Sequence, residues 1–169
     1  MSMKIGCSCE TMKESDLDEV HRIERGVFKH PWSKDFFRLI MADINNYVIT
    51  LKKEGAIAGY GGYHFLSKQT DFLFAAKKYD RVVHLINIAI RPGLQSKGLG
   101  TFLLATLFDD ARTRNGDYCY LEVRPSNAKA ITFYRKAGFS ITGIIEDYYP
   151  QEAENALVMG RELGRLLTL

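Results

Sequence analysis

A buried strand that runs through a glycine-rich turn into a helix constrains this chain more than any other feature. Val82 to Ile90 is almost continuously apolar and β-branched, as a strand covered on both faces is. Its last residues, Ile88-Ala89-Ile90, lead into Arg91-Pro92. Gln95-Ser96-Lys97-Gly98-Leu99-Gly100-Thr101 then opens a helix. The glycines let a ligand approach the backbone without a Cβ in the way. The first N–H groups of a helix have no intrahelical acceptor and sit at the positive end of its dipole. That geometry binds pyrophosphate, and Lys97 adds a charge beside it. The same pattern also suits a strand-to-helix turn that binds nothing. A Rossmann site needs a third glycine where this chain has Leu103, and a P-loop needs Gly-Lys-Ser/Thr. Neither nucleotide fold is predicted.

The rest of the chain alternates strands and helices. Lys4 to Cys9 reads as a first strand. Ser15-Asp16 opens a helix whose apolar face is Leu17, Val20, Ile23 and Val27, with Asp18 and Glu19 in its first turn. Ser33 caps a second helix carrying Phe36, Phe37 and Ile40, and Asn45-Asn46 ends it. Strands follow at Tyr47–Leu51 and Ala56–Leu66. Gly59, Gly61 and Gly62 in the latter point to a bulge or a close backbone approach. Residues 67–80 carry no assignable element. In the helix from Gly98 to Arg114, Leu99, Leu103, Leu107 and Ala111 recur every four residues, and Asn115-Gly116 stops it. Tyr118–Val123 is a strand, Ser126-Asn127 caps a helix ended by Gly138, Phe139–Ile145 is a strand, and Ala156 to Met159 begins the last one. The result is an α/β sandwich, β-α-α-β-β-β-α-β-α-β-β, with a mixed central sheet flanked by about four helices.

Length and composition set the bounds. At 169 residues, 46% hydrophobic and 25% charged, residues 1–169 form one domain with a core of its own. The net charge of +3 comes from scattered residues, so direct nucleic-acid binding is not expected. Three cysteines make neither a disulfide framework nor a metal site. Strand alternation accounts for Cys7-Ser8-Cys9, and no metal is expected. No run reaches a membrane span and no signal-peptide pattern is present, so the expected compartment is the cytoplasm, with no membrane partner. His21, His30, His64 and His84 show no ligand spacing and are read as structural or surface residues.

Gln95-x-x-Gly98-x-Gly100, placed after the fourth strand, resembles the pyrophosphate motif of the GNAT acetyltransferases. Asn127-x-x-Ala130-x-x-Phe133-Tyr134-x-x-x-Gly138-Phe139 is similar to that family's second signature. His30-Pro31-Trp32-Ser33, Asn87-Ile88-Ala89-Ile90, Leu121 to Asn127 and Tyr148-Tyr149-Pro150 resemble the ribosomal-protein-alanine N-acetyltransferases of the RimI type. In that type, residues 66–82 are shorter than here. The resemblance implies acetyl-CoA as co-substrate. Gln95 to Thr101 would lie at its pyrophosphate, Ile88 to Ile90 would offer backbone groups to the pantetheine arm and acetyl carbonyl, and Asn127 would contact the arm.

Acetyl transfer needs a neutral amine, a polarised thioester and a proton for the departing thiolate. An N-terminal α-amine, with pKa near 7.7–8.0, is roughly one-tenth neutral at pH 7. A Lys amine near 10.4 is neutral about four times in ten thousand. A modest base therefore suffices for the first. Glu122 lies in a strand centre, where Glu is unusual, and faces away from Leu121 and Val123. It is either the solvated face of an edge strand or a base, and the resemblance makes it the proton acceptor. Tyr134 is either helix core or, by resemblance, the acid that protonates the thiolate; Phe133 beside it must face another way. Asn127 is equally a helix cap. Tyr148 and Tyr149 follow the sixth strand as a hairpin turn or as a lip that holds a peptide acceptor. The expected acceptor is a protein N-terminal α-amine, such as the N-terminal alanine of a small-subunit ribosomal protein. The alternatives are a small amine, antibiotic or Lys side chain, and, from another class, a non-catalytic acyl-CoA-binding regulator.

Overall fold

In a computed structural model the described residues are 6–66 and 79–164. Seven strands and four helices are present among them, in the order read from the sequence. The chain packs as two compact units. One contains the described residues up to His64 together with Ile86–Asp110. The other contains the described residues of Phe65–Leu85 and those from Ala111 onward.

The first unit begins with β1 (Cys7–Thr11), then a short 3₁₀ turn at Glu14–Asp16 and α1 (Leu17–Val27). Asp16 accepts from the Lys13 N–H at 2.9 Å and so closes the turn that starts the helix. Leu17, Val20 and Ile23 are buried on the apolar face. In α2 (Lys34–Ala42) the Ser33 hydroxyl accepts from the Phe36 N–H at 3.1 Å, the cap its position predicted. This helix stops at Ala42, earlier than Asn45-Asn46. The Asn46 side chain donates to the Ile40 carbonyl at 2.8 Å, satisfying an end carbonyl while its backbone already begins β2 (Asn46–Lys53).

β1, β2 and β3 (Ala56–Phe65) pair antiparallel in sequence, and β4 (Val82–Ile90) follows β3 in the sheet order. Leu51 faces Gly59 while Lys52 faces Ile57, so Ala58 is the extra residue of a bulge. A Cβ at Gly59 would lie 2.5 Å from the Ala89 carbonyl oxygen, and one at Gly62 would lie 2.9 Å from that of Tyr47. Both the bulge and the close approach expected of this strand are therefore present. The core is Met12, Leu17, Val20, Ile23, Phe37, Ile40, Val48, Tyr60 and Ala89. α3 (Leu99–Thr113) seats Leu99, Leu103 and Leu107, all almost fully buried.

In the second unit the sheet order is β4, β5 (Tyr118–Val123), β7 (Glu154–Glu162), β6 (Ser140–Tyr149). The β4–β5 pair is parallel and the other two are antiparallel, which makes the sheet mixed as expected. Val82, Tyr118, Tyr120 and Val158 form its core. α4 (Ala128–Lys136) is ended by Gly138 at φ +88°.

Several strand ends differ from those expected, among them β2, which runs on through Lys53. β1 spans Cys7–Thr11, two residues beyond the expected end at Cys9, and Lys4 and Ile5 of the expected strand lie outside the described residues. β7 runs from Glu154 to Glu162 and so starts two residues before the expected Ala156. β6 continues past Ile145, so Tyr148 and Tyr149 close the strand rather than follow it. The continuation is irregular. Asp147 has φ +52°, its N–H donates to the Asn155 side chain at 3.0 Å, and the register shifts between Ile145 and Tyr149. Most of the long 66–82 segment, residues 67–78, lies outside the described residues. No helix among the described residues is long and apolar enough to cross a membrane.

Candidate active site

The turn after β4 lies in the first unit. Ala89 and Ile90 are buried and Ile88 is half-buried, so their side chains serve the core. The backbone enters the left-handed region at Gly93 (φ +83°), Ser96 (+60°) and Gly98 (+76°). Such alternation turns successive N–H groups toward one concavity that suits an anion. Phe102 makes the first helical bond, to the Gly98 carbonyl at 3.1 Å. The N–H groups of Leu99, Gly100 and Thr101 therefore have no acceptor within the helix. The first turn of α3 contains no acid that would compete for them. The Gln95 side chain donates to the Ile90 carbonyl at 3.0 Å and ties the turn to the end of its strand.

One feature of this unit had no signal in the sequence. Glu24, in α1, is 1% exposed and accepts from the Trp32 N–H at 2.9 Å and from the Tyr60 hydroxyl. The Asn87 side chain donates to the same hydroxyl at 3.2 Å. Burial pushes the Glu24 carboxyl above its ordinary pKa, against the opposing hydrogen bonds. Glu24 occupies a polar helix position next to Ile23, and only the packed fold covers it.

The second unit holds both catalytic candidates. Glu122 lies in β5, which is paired on both sides and is not an edge strand. Its neighbours Leu121 and Val123 are buried on the opposite face, and its side chain is only 10% exposed. Oε2 of Glu122 lies 2.5 Å from Nε2 of His84 in β4. His84, expected to be a structural or surface residue, is one half of this pair. His84 faces Tyr120 in the parallel register, and Glu122 is two residues further on the same face. The imidazole stacks on the Tyr120 ring, with centroids 4.5 Å apart and planes 5° apart. Both residues are polar side chains in largely apolar strands, the one signal available beforehand.

Tyr148 and Tyr149 lie near Glu122. Burial raises the Tyr148 phenol and the Glu122 charge raises it further. Burial, Tyr148 and Glu122 together push Tyr149 up to about 12. Tyr134 packs edge-on against Phe139, with centroids 5.6 Å apart, and its phenol is raised by burial, then by Cys119 and Tyr149. Phe133 lies tilted beside it at 5.2 Å. No described residue hydrogen-bonds the Tyr134 hydroxyl. A phenol held this way stays protonated at neutral pH, as a proton donor must. Asn127 caps α4, its side chain accepting from the Ala130 N–H at 3.1 Å. No group of His, Cys, Asp and Glu among the described residues could hold a metal ion.

A model of the acetyltransferase (GNAT) family matches residues 17–139. The chain belongs to the GNAT family. It is 34% identical over 157 residues to the [ribosomal protein bS18]-alanine N-acetyltransferase of Salmonella typhimurium, covering 88% of this chain and 92% of that one. It is 33% identical over 155 residues to the N-alpha-acetyltransferase RimI of Mycobacterium tuberculosis, covering 90% of each. The crystal structure of the ribosomal-protein-S18-alanine N-acetyltransferase from Escherichia coli superposes with a TM-score of 0.78 at 27% identity, over 96% of this chain and 98% of that one. This GNAT chain is thus an N-acetyltransferase that uses acetyl-CoA. The turn from Gln95 to Thr101 fits that co-substrate: it offers unpaired helical N–H groups, left-handed backbone and an adjacent Lys97 to a pyrophosphate.

Proposed function

We propose that this enzyme acetylates the N-terminal α-amine of a protein, and that a ribosomal-protein N-terminal alanine is its acceptor. The observation that carries the reading is likeness over about nine-tenths of the chain to ribosomal-protein-alanine N-acetyltransferases and to an N-alpha-acetyltransferase. The chemistry agrees. A carboxylate paired with an imidazole suits an amine of pKa near 7.7–8.0 far better than one near 10.4. In this reading residues 1–169 act as one acetyltransferase domain. Gln95 to Thr101 hold the pyrophosphate, and Ile88 to Ile90 with Asn127 hold the pantetheine arm. Glu122 serves the amine as proton acceptor, Tyr134 protonates the thiolate, and Tyr148 and Tyr149 hold the acceptor peptide. Three free cysteines suit the reducing cytoplasm, where we place the enzyme.

Wild-type enzyme with acetyl-CoA is expected to acetylate an N-terminal alanine peptide. It should be at least an order of magnitude slower on N-terminally blocked Lys peptides and polyamines. Faster turnover of either overturns the acceptor assignment.

Replacing Tyr134 by Phe keeps the ring contact with Phe139 and removes only the hydroxyl. A thiolate is a fair leaving group, its thiol having a pKa near 8.5. The expected fall in kcat is therefore toward the low end of the ~10²–10⁴ typical of general acids, with acetyl-CoA affinity unchanged. An unaltered kcat assigns the proton to water or another group.

A further inference from the structure

His84 lies between buried Val83 and Leu85 in β4, and its imidazole is held at two points. Its face lies flat on Tyr120, and its Nε2 meets Glu122 at 2.5 Å. An ionised carboxylate only accepts hydrogen bonds. The contact therefore places the proton of the neutral ring on Nε2 and leaves the lone pair on Nδ1. No described residue engages that nitrogen. The imidazole is 23% exposed against 10% for the carboxylate, so the ring is the more accessible of the two.

We propose that His84 takes the proton from the acceptor amine, with Glu122 orienting the ring and stabilising its charged form. The inference rests on the α-amine reading above and refines the part played by Glu122. As a side-chain type, an imidazole (near 6.5) matches an α-ammonium near 7.7–8.0 more closely than a glutamate carboxylate (near 4.3) does. Proton transfer to it is therefore less uphill. The ammonium gives one proton to Nδ1 of His84. The freed lone pair forms the C–N bond at the thioester carbon, and the C–S bond breaks. The nitrogen's second surplus proton ends on the thiolate, and imidazolium returns the first to solvent. The products are the amide, the free thiol and one proton. The ionisable groups around the pair are Tyr120 of β5 and Tyr148 and Tyr149 of β6. Each has its phenol raised by the Glu122 charge in addition to burial. Arg124 lies 5.8 Å over the Tyr149 ring.

His84→Gln decides the matter, because its amide still donates to Glu122 but holds no transferable proton. With an N-terminal alanine peptide, kcat/KM is expected to fall ~10²–10⁴-fold near neutral pH, the range of general-base help. The loss should shrink as pH rises past the amine pKa. Added imidazole should restore part of the rate of His84→Ala. A His84→Gln rate within about twofold of wild type overturns the proposal and leaves Glu122 as sole base. A loss that is equal at every pH and unmoved by imidazole makes His84 structural and overturns it too. The acceptor assignment fails separately. A wild type active on polyamines and not on the peptide refutes that assignment, and His84→Gln assayed on that amine still decides the proton route.

Discussion

Calorimetry of Gly98→Glu with acetyl-CoA is expected to show no measurable binding. Gly98 stands immediately before α3 with φ +76°, where the N–H groups of Leu99, Gly100 and Thr101 begin the helix. Two effects act together. A side chain in the left-handed region costs roughly 1–2 kcal/mol at that residue. A carboxylate at the mouth of the turn also repels a pyrophosphate. At ~4 Å and an effective dielectric of ~20, each like-charge pair costs about 4 kcal/mol, a factor of about a thousand in affinity. Gly98→Asn separates the two effects, since Asn tolerates the left-handed region and carries no charge. It should keep most of the affinity. The Gly98→Glu melt should fall by only a few degrees, about 2–4 °C per kcal/mol of backbone strain, because Gly98 is exposed and no core contact is lost. Unchanged affinity in Gly98→Glu would remove the pyrophosphate assignment of the Gln95–Thr101 turn.

The parts of this enzyme legible from sequence are those written in local pattern. Four-residue recurrence marked α3. Ser33 and Asn127 are caps by both residue type and position, and Asn115, with φ +63°, ends α3 where the chain reads Asn-Gly. The three glycines of β3 announced a close approach, though not that the Ala89 carbonyl is what approaches. Strand ends were less legible, because they depend on partners. β6 runs to Tyr149 because β7 offers it a ladder through a bulge at Asp147, and nothing local to Tyr148 encodes that. The site divides in the same way. Glu122 stood out as a charge inside an apolar strand, since polarity out of place is visible in one dimension. His84 is the same anomaly in β4, but its meaning depends on register. Only when β4 and β5 run parallel with His84 opposite Tyr120 does the ring come within reach of Glu122. Glu24 was less visible still. An acid on an amphipathic helix reads as solvated surface until Trp32, Tyr60 and Asn87 close over it.

Glu122→Gln is expected to slow transfer most at low pH and to recover partly as pH rises. Below its pKa the acceptor is mostly ammonium and must lose a proton before it can attack. Above it, the neutral amine attacks unaided. General-base help is typically worth ~10²–10⁴, so the defect should be large near neutral pH. Glutamine keeps the length of the side chain and an oxygen for His84. What it removes is the negative charge that stabilises an imidazolium and the strict acceptor that keeps the proton on Nε2. The amide can instead donate to that nitrogen and turn the ring to the wrong tautomer. The Tyr148 and Tyr149 phenols, each raised in part by the Glu122 charge, should titrate lower in this variant. That shift gives a spectroscopic readout independent of turnover. A purely structural Glu122 predicts otherwise: a lower melting temperature and the same fractional loss at every pH. The two are separated by kcat/KM against an N-terminal alanine peptide from about pH 6 to about pH 9, a span that brackets the α-amine near 7.7–8.0. A mutant-to-wild-type ratio that stays flat across that span removes Glu122 from the proton transfer altogether, as base and as partner of His84. A ratio that climbs with pH, together with the same climb in His84→Gln, assigns the proton to the pair.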